Sequence, residues 1–164
     1  MQVYAPFSGQ IIALTDVPDA AYAERMLGDG LAIESHEEES VMVTAPINGI
    51  VISVNKNCHA LVIRSEEGIE LLLHMGVDTV MLGGKGFKTF VRVGSRVKVG
   101  DNLLEANLKY IRAKAVASML IVVVSNAPEA VARPSTEGEV EVSDKFFSVD
   151  VHKYSQSSSW EYLI

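Results

Sequence analysis

Short runs of hydrophobic and β-branched residues, separated by glycine and other turn residues, recur along the whole chain. Many short strands with frequent turn signals are typical of antiparallel β-proteins rather than of alternating β-α units. The pattern therefore predicts an all-β fold, a sandwich or a barrel. The predicted strands are residues 2–6, 10–14, 30–34, 41–45, 49–54, 60–64, 69–74, 78–82, 87–91, 96–99, 103–106, 120–124, 138–142 and 146–151.

Two segments have a pattern that favours short helices instead. Residues 19–27 follow Pro18 and stop before Gly28, which suits a helix with a glycine at its carboxyl end. Residues 109–118 combine apolar and basic positions and are long enough for one or two turns. We expect one or two short helical turns in an otherwise β-rich chain.

An internal repeat indicates a duplicated architecture. Residues 43–52 match residues 3–12, forty positions earlier, and both copies contain Ala-Pro followed by glycine after two further residues. Proline and glycine supply the backbone angles of a tight turn, so each copy is predicted to be strand, turn and strand. The alternative is a chance recurrence of turn residues. We favour duplication, which predicts a pseudo-symmetric antiparallel β-sandwich or barrel.

A histidine stands at the end of one of the most hydrophobic runs. The apolar residues 71–73 lead to His74, and Gly76 and Asp78 follow at once. A buried strand that delivers one titratable group to its end indicates a site rather than packing. His59 begins another β-prone run fifteen residues earlier, and residues 65–68 between the runs predict a hairpin turn.

The register of this hairpin decides whether the two imidazoles meet. A two-residue loop at residues 66–67 would place His59 directly across from His74, with their Cβ atoms roughly 5 Å apart. A three-residue loop with Gly68 in the left-handed conformation would shift the pairing by one residue. That shift sends the rings to opposite faces unless a bulge restores them. The local sequence leaves both registers open.

Composition sets the boundaries of the interpretation. A chain of 164 residues is predicted to form one domain, residues 1–151, followed by a serine-rich tail at 152–164. The lone Cys58, expected to be a strand residue that faces away from His59, excludes a disulfide within the chain and fits the cytoplasm. The net charge of −7 argues against nucleic acid as a partner. No secretory signal or membrane-spanning run is evident, so we expect no direct membrane insertion.

Several motifs carry a resemblance to a known family. They are Ala-Pro-x-Ser-Gly at 5–9, Asp-Val-Pro-Asp at 16–19, Gly-Asp-Gly-x-Ala-Ile at 28–33, Ala-Pro-x-x-Gly at 45–49, His-Ala at 59–60, the run 72–80, Gly-x-Gly-Phe at 84–87 and Arg-Val-x-x-Gly-Asp at 96–101. Through these motifs the chain resembles the glucose-type IIA component of the bacterial phosphoenolpyruvate-dependent sugar phosphotransferase system over about residues 3–151. The resemblance implies a β-sandwich, a phosphocarrier activity, and both histidines in one shallow site.

The resemblance also implies roles for the residues of the site. His74 would be phosphorylated through Nε2, with its Nδ1–H directed at the carbonyl of Gly76. His59 would donate a hydrogen bond to the phosphoryl oxygens. Asn57 stands where the family usually has a threonine that orients the second histidine. The chemistry is sound, because neutral imidazole is a nucleophile near neutral pH and forms a phosphohistidine without a metal.

The implied partners are the phosphocarrier protein HPr and the IIB domain of a sugar permease. Asp78 and Asp19 would attract basic residues on these partners. Asp78 could instead simply cap a turn, and Asp19 is also predicted to cap the helix that follows it. Leu61, Leu72 and Met75 are expected to keep water from the phosphohistidine. A flat apolar rim around the histidines is predicted from Ala20, Ala21, Tyr22, Met26 and Val77.

Two other functions compete with a phosphotransferase component that works through a phosphohistidine. One is a regulatory IIA-like binding module that has lost phosphotransfer. The other is a zinc hydrolase of the lysostaphin type, but catalytic zinc needs three protein ligands. Only His59 and His74 are positioned as candidate zinc ligands, and Asp78 is a weak candidate for the third. We expect no cofactor, although the two imidazoles could hold an adventitious zinc ion.

Overall fold

Antiparallel strands are the main regular secondary structure in a computed structural model that describes residues 1–150. The predicted tail at 152–164 lies outside the described residues. The strands are β1 (Gln2–Tyr4), β2 (Gly9–Ile12), β3 (Gly30–Ser35), β4 (Ser40–Thr44), β5 (Gly49–Val54), β6 (Ala60–Arg64), β7 (Glu70–Val77), β8 (Phe87–Thr89), β9 (Arg96–Val97), β10 (Asn102–Asn107), β11 (Ala117–Val124), β12 (Ala132–Pro134), β13 (Glu139–Val140) and β14 (Lys145–Val149).

Within residues 1–150, helical structure is confined to short segments. The α-helices are α1 (Ala20–Ala23) and α2 (Leu108–Lys114), and 3₁₀ turns cover Leu14–Asp16 and Thr79–Leu82. Helix α1 is shorter than the predicted 19–27, because Arg25 already has a φ of 56° and breaks the helical path. None of the helices within residues 1–150 is long and apolar enough to cross a bilayer.

One predicted strand, at 78–82, is wrong. Asp78 has a φ of 61°, in the left-handed region, which ends β7 and starts the 3₁₀ turn Thr79–Leu82. An aspartate tolerates this conformation better than most residues with a Cβ. The chain therefore turns sharply two residues after Gly76, next to the predicted site.

The sheet order repeats itself under a two-fold exchange. A central eight-stranded sheet has the order β13-β2-β3-β11-β7-β6-β5-β9, and two three-stranded sheets have the orders β1-β14-β12 and β4-β10-β8. Exchanging β11 with β7, β3 with β6, β2 with β5 and β13 with β9 reproduces the central sheet, and the two small sheets exchange with one another. The predicted pseudo-symmetric sandwich is therefore confirmed. The sheets are open, so the barrel alternative is not realised.

The internal repeat corresponds to this symmetry. Tyr4 N–H donates to the carbonyl of Pro46 at 2.9 Å, and Thr44 N–H donates to the carbonyl of Pro6 at 2.9 Å. Each copy of the Ala-Pro turn thus hydrogen-bonds the other through the same atoms. Reciprocal bonds of this kind are expected from duplicated segments that meet across a two-fold axis, and not from a chance recurrence of turn residues.

Alternation along β7 separates two hydrophobic clusters. Leu71, Leu73 and Met75 are fully buried in the main core, which also contains residues from both small sheets. Leu72 and His74 point to the opposite, outer face, as side chains of alternate residues must. A smaller cluster covers that outer face. Its buried members are Leu14, Val17, Tyr22, Ala32, Val77, Ile121 and Val123.

Candidate functional site

The hairpin between β6 and β7 has the three-residue loop and not the two-residue loop. His74 pairs with Ala60, one residue away from the pairing that a two-residue loop would give. Gly68 has a φ of 86° and its N–H donates to the carbonyl of Ser65. Glycine takes this conformation without a steric penalty, which explains why the longer loop is preferred. By register alone, His59 and His74 would face opposite sides.

The two imidazoles nevertheless meet, because His59 lies just outside β6. A tight turn precedes it, in which Cys58 has a φ of 62° and donates its N–H to the carbonyl of Asn55. Strict alternation no longer applies there, and the ring centroids of His59 and His74 are 5.1 Å apart, edge to face. The pairing implied by the resemblance is therefore present. The expectation that Cys58 is a strand residue facing away from His59 is wrong, since it is a turn residue.

The imidazole of His74 is held in one tautomer. Its Nδ1 lies 2.7 Å from the carbonyl oxygen of Gly76, which can only accept, so Nδ1 carries the proton. Gly76 adopts a φ of 78°, and the hydroxyl of Thr79 donates to the carbonyl of Met75 at 2.7 Å, which stabilises the same turn. This arrangement leaves the lone pair of His74 Nε2 available as a nucleophile.

His59 is almost fully buried, with 4% of its surface exposed. Its Nδ1 has no hydrogen-bond partner among residues 1–150, and its ring packs near Phe87 with centroids 6.3 Å apart. The amide of Asn57, expected to orient this ring, makes a long contact of 3.4 Å to the carbonyl of Val80 instead. The orientation of His59 thus comes from packing and from the turn before it.

Both histidines favour the neutral form. Burial lowers the pKa of His74, although the hydrogen bond to Gly76 and the negative charge of Asp19 oppose the shift. Burial also lowers the pKa of His59, and the neighbouring His74 lowers it further. Protonation of one ring disfavours protonation of the other. At neutral pH the site therefore presents an unprotonated Nε2 on His74.

Two members of the predicted apolar rim are not on the surface. Tyr22 is 4% exposed, and its ring packs on His74 with centroids 5.6 Å apart. Val77 is 2% exposed and belongs to the outer cluster. Both side chains face inward because the outer face of β7 is covered by the segment that carries α1. Of the other predicted rim residues, Ala20 and Met26 are exposed and Ala21 is half-buried.

The residues expected to exclude water also need correction. Leu61 and Met75 lie in the main core, on the opposite face from His74, so they do not shield it. Leu72 is half-buried on the correct side and packs against the outer cluster. The rings that contact the two imidazoles directly are those of Tyr22 and Phe87.

Sequence reasoning missed exposed hydrophobic side chains beyond Asp78. Val80, Met81 and Val116 are 51%, 83% and 59% exposed, respectively. Val116 is tied to this region through its N–H, which donates to the carbonyl of Val77. The signal is present in the sequence, since Val80 and Met81 follow Asp78 after a single threonine. The incorrect prediction of a strand at 78–82 conceals their exposure.

The two acidic residues behave differently. Asp19 caps α1, because its carboxylate accepts the N–H of Ala21 at 2.9 Å, and its charge also reaches His74. Asp78 is exposed and makes no side-chain cap for the 3₁₀ turn that follows it, so the capping interpretation of Asp78 is wrong. Both carboxylates lie close in sequence to residues of the site.

The described residues contain no group of three or more His, Cys, Asp or Glu side chains that could hold a metal ion. Two imidazoles alone are fewer than the three protein ligands of a catalytic zinc. The site is therefore suited to nucleophilic chemistry at His74 rather than to metal-assisted hydrolysis.

Comparisons with known proteins find relatives over most of the chain. Residues 1–130 match the family described as phosphoenolpyruvate-dependent sugar phosphotransferase system, EIIA 1. The glucose-specific EIIA component of Staphylococcus epidermidis is 37% identical over 150 residues, covering 88% of this chain and 89% of that protein. The glucose-specific EIICBA component of Staphylococcus carnosus is 37% identical over 147 residues, which are 90% of this chain and 21% of that protein.

Solved structures lead to the same group. The glucose permease IIA from Mycoplasma capricolum superposes with a TM-score of 0.83 at 35% identity, covering 90% of this chain and 94% of that one. The M23 metalloprotease pseudoalterin superposes with a TM-score of 0.50 at 10% identity over 90% of this chain. At that identity the second match concerns the fold alone, and the zinc hydrolase alternative is not favoured.

Proposed function

The chain belongs to the EIIA 1 family of the phosphoenolpyruvate-dependent sugar phosphotransferase system and is a phosphocarrier in sugar uptake, and we propose that it carries the phosphoryl group on His74. Phospho-HPr would be the donor, and a cysteine of a IIB domain the acceptor. One observation carries this proposal: Nδ1 of His74 is bonded to Gly76, so that Nε2 is free beside a second imidazole.

In the first transfer, the lone pair of His74 Nε2 attacks the phosphorus atom of phospho-HPr. The new N–P bond forms as the bond between phosphorus and the donor nitrogen breaks, and the electron pair leaves with HPr. Nδ1 keeps its proton, so the phosphorylated ring gains positive charge. The carbonyl of Gly76, 2.7 Å from Nδ1, stabilises that charge.

In the second transfer, a thiolate of the IIB domain attacks the same phosphorus, and the N–P bond returns its electron pair to Nε2. His59 donates a hydrogen bond to the phosphoryl oxygens and spreads their charge in the transition state. Its buried Nδ1 lacks a partner among residues 1–150, which favours the tautomer with the proton on Nε2. Through these two transfers the chain would act as a phosphotransferase component that works through a phosphohistidine intermediate.

The partners would dock on the exposed hydrophobic side chains around the site. Met26, Val80 and Met81 supply apolar contact, and Asp19 and Asp78 would attract basic residues of HPr and IIB. One surface has to release the first partner before it binds the second, so the contacts should be small and transient. We propose the cytoplasm as the compartment, in keeping with the single cysteine.

The test is phosphorylation of the purified chain by phospho-HPr, followed by transfer to a IIB domain, with a glucose-specific IIB as the first choice. His74→Gln should abolish the acid-labile phosphoryl group. His59→Gln should still accept it but pass it on poorly, since the donor matters most in the transition state. Equal loss of acceptance in both variants would contradict the division of roles. No phosphorylation of the unmodified chain would leave the regulatory module as the function.

A further inference from the structure

Tyr22 occupies an unusual position for a residue expected on the rim of the site. Its ring is almost completely buried and packs directly on the imidazole of His74, with centroids 5.6 Å apart and planes tilted by 52°. This separation lies within the range of direct ring contact. Helix α1 holds the tyrosine there, and Asp19 caps that helix three residues before it. The side chain is thus a fixed part of the site.

The hydroxyl group of Tyr22 is unpaired. No residue in the range 1–150 donates a hydrogen bond to it or accepts one from it. The hydroxyl oxygen is also not fully buried. Among the described residues, the one fully buried side-chain polar atom without a partner is Nδ1 of His59, so the unpaired oxygen of Tyr22 must keep some exposed surface. A buried tyrosine usually bonds its hydroxyl. Here the ring is buried and packs on His74, while the hydroxyl oxygen keeps some exposed surface and is unpaired within residues 1–150.

The hydroxyl can act only as a neutral donor or acceptor near neutral pH. Burial, followed by the negative charge of Asp19, raises the pKa of Tyr22 to about 12. The phenol therefore keeps its proton when a negatively charged group arrives next to it. A phosphoryl group offers three strong acceptor oxygens, and hydrogen bonds to charged acceptors are stronger than neutral ones.

We propose that the hydroxyl of Tyr22 donates a hydrogen bond to an oxygen of the phosphoryl group on His74. The inference rests on the proposed function, since it requires a phosphohistidine at this position. Tyr22 forms no covalent bond and keeps its proton through both transfers. Its ring and that of His59 both contact His74, so the phosphoryl group would have two donors, one from each neighbouring segment.

The substitution Tyr22→Phe isolates the hydroxyl, because it keeps the ring that packs on His74. Phosphorylated chain is prepared with phospho-HPr, and two quantities are measured: the equilibrium constant for exchange with HPr, and the phosphorus NMR shift of the phosphohistidine. We expect the equilibrium to move about tenfold toward phospho-HPr and the phosphorus signal to shift. Tyr4→Phe is the matched control, since Tyr4 lies in β1, in a different sheet from His74.

The outcomes separate the inference from the proposed function. If the unmodified chain accepts the phosphoryl group and Tyr22→Phe gives the same equilibrium and the same phosphorus shift, the hydroxyl plays no part. If the unmodified chain is never phosphorylated, the proposed function fails and the inference falls with it. Should Tyr22→Phe not fold, fluorotyrosine at this position tests the same hydrogen bond. A more acidic donor should shift the exchange equilibrium with HPr toward the phosphorylated chain, and an unchanged equilibrium would overturn the proposal.

Discussion

Replacing Gly76 with alanine should damage both the stability of the fold and the tautomer of His74. Gly76 has a φ of 78°, and a Cβ at this position would lie 2.5 Å from Cγ2 of Thr79 and 2.8 Å from the carbonyl oxygen of Ala117. The first atom can move only with its side chain, and the second belongs to the neighbouring strand. The glycine also supplies the carbonyl that accepts from Nδ1 of His74.

The loss in the free energy of unfolding that we expect for Gly76→Ala has two parts, and a matched variant separates them. An alanine in the left-handed region costs about 1–2 kcal/mol, and overpacking adds about 1–3 kcal/mol. Gly68 has a φ of 86° and no atom within 4 Å of the point that a Cβ would occupy, so Gly68→Ala carries the first cost alone. We therefore expect Gly76→Ala to lower the free energy of unfolding by about 1–3 kcal/mol more than Gly68→Ala does.

The double variant Gly76→Ala with Thr79→Ser removes Cγ2 but keeps the hydroxyl that donates to Met75. It should recover part of the lost stability. Urea unfolding measures the free energies, nitrogen NMR reports the tautomer of His74, and phosphoryl acceptance from phospho-HPr should fall about tenfold or more in Gly76→Ala because the carbonyl is displaced. Equal destabilisation by Gly76→Ala and Gly68→Ala would refute the reasoning from contact distances.

Two further predictions concern charge. Folding lowers the pKa values of His59 and His74. Below the histidine pKa of the unfolded chain, about 6.5, the unfolded state therefore binds more protons than the folded state. The free energy of unfolding should be fully retained above that pH and decline as the pH falls below it. Urea unfolding at several pH values checks this, and His59→Gln with His74→Gln should flatten the decline; an unchanged slope would contradict it. Asp19→Asn with Asp78→Asn should slow acceptance from phospho-HPr several-fold at low salt and little at high salt, since asparagine keeps both the cap and the left-handed turn. Equal rates at all ionic strengths would remove the electrostatic part of recognition.

Much of the fold could be predicted from patterns that depend on local chemistry. The Ala-Pro turns at 3–12 and 43–52 recur because the same backbone geometry recurs, and their reciprocal hydrogen bonds follow from the duplication. The cap at Asp19 also needs only a few neighbouring residues to form. These features involve contacts within one turn or between two copies of one motif, so a single sequence contains what is needed to infer them.

The hairpin register and the burial of Tyr22 could not be obtained in this way. The choice between loops at residues 66–68 depends on small differences in turn energy, and the outcome for His59 depends on Cys58 adopting a left-handed conformation. Tyr22 resembles a surface residue in the sequence because its short helix is flanked by polar residues. Its burial comes from packing against β7 and β11, which lie far away in sequence.

The pseudo-symmetry explains where the site forms. His74 pairs with Ile121 across the boundary between β7 and β11, where the two halves meet. The connection between β2 and β3 is equivalent by symmetry to the connection between β5 and β6, but the two differ in length. Residues 55–59 form a tight turn that delivers His59, whereas residues 13–29 form a longer connection that carries α1 and Tyr22. Duplication thus supplied the scaffold, and divergence of two equivalent connections supplied one imidazole and one phenol to the same nucleophile.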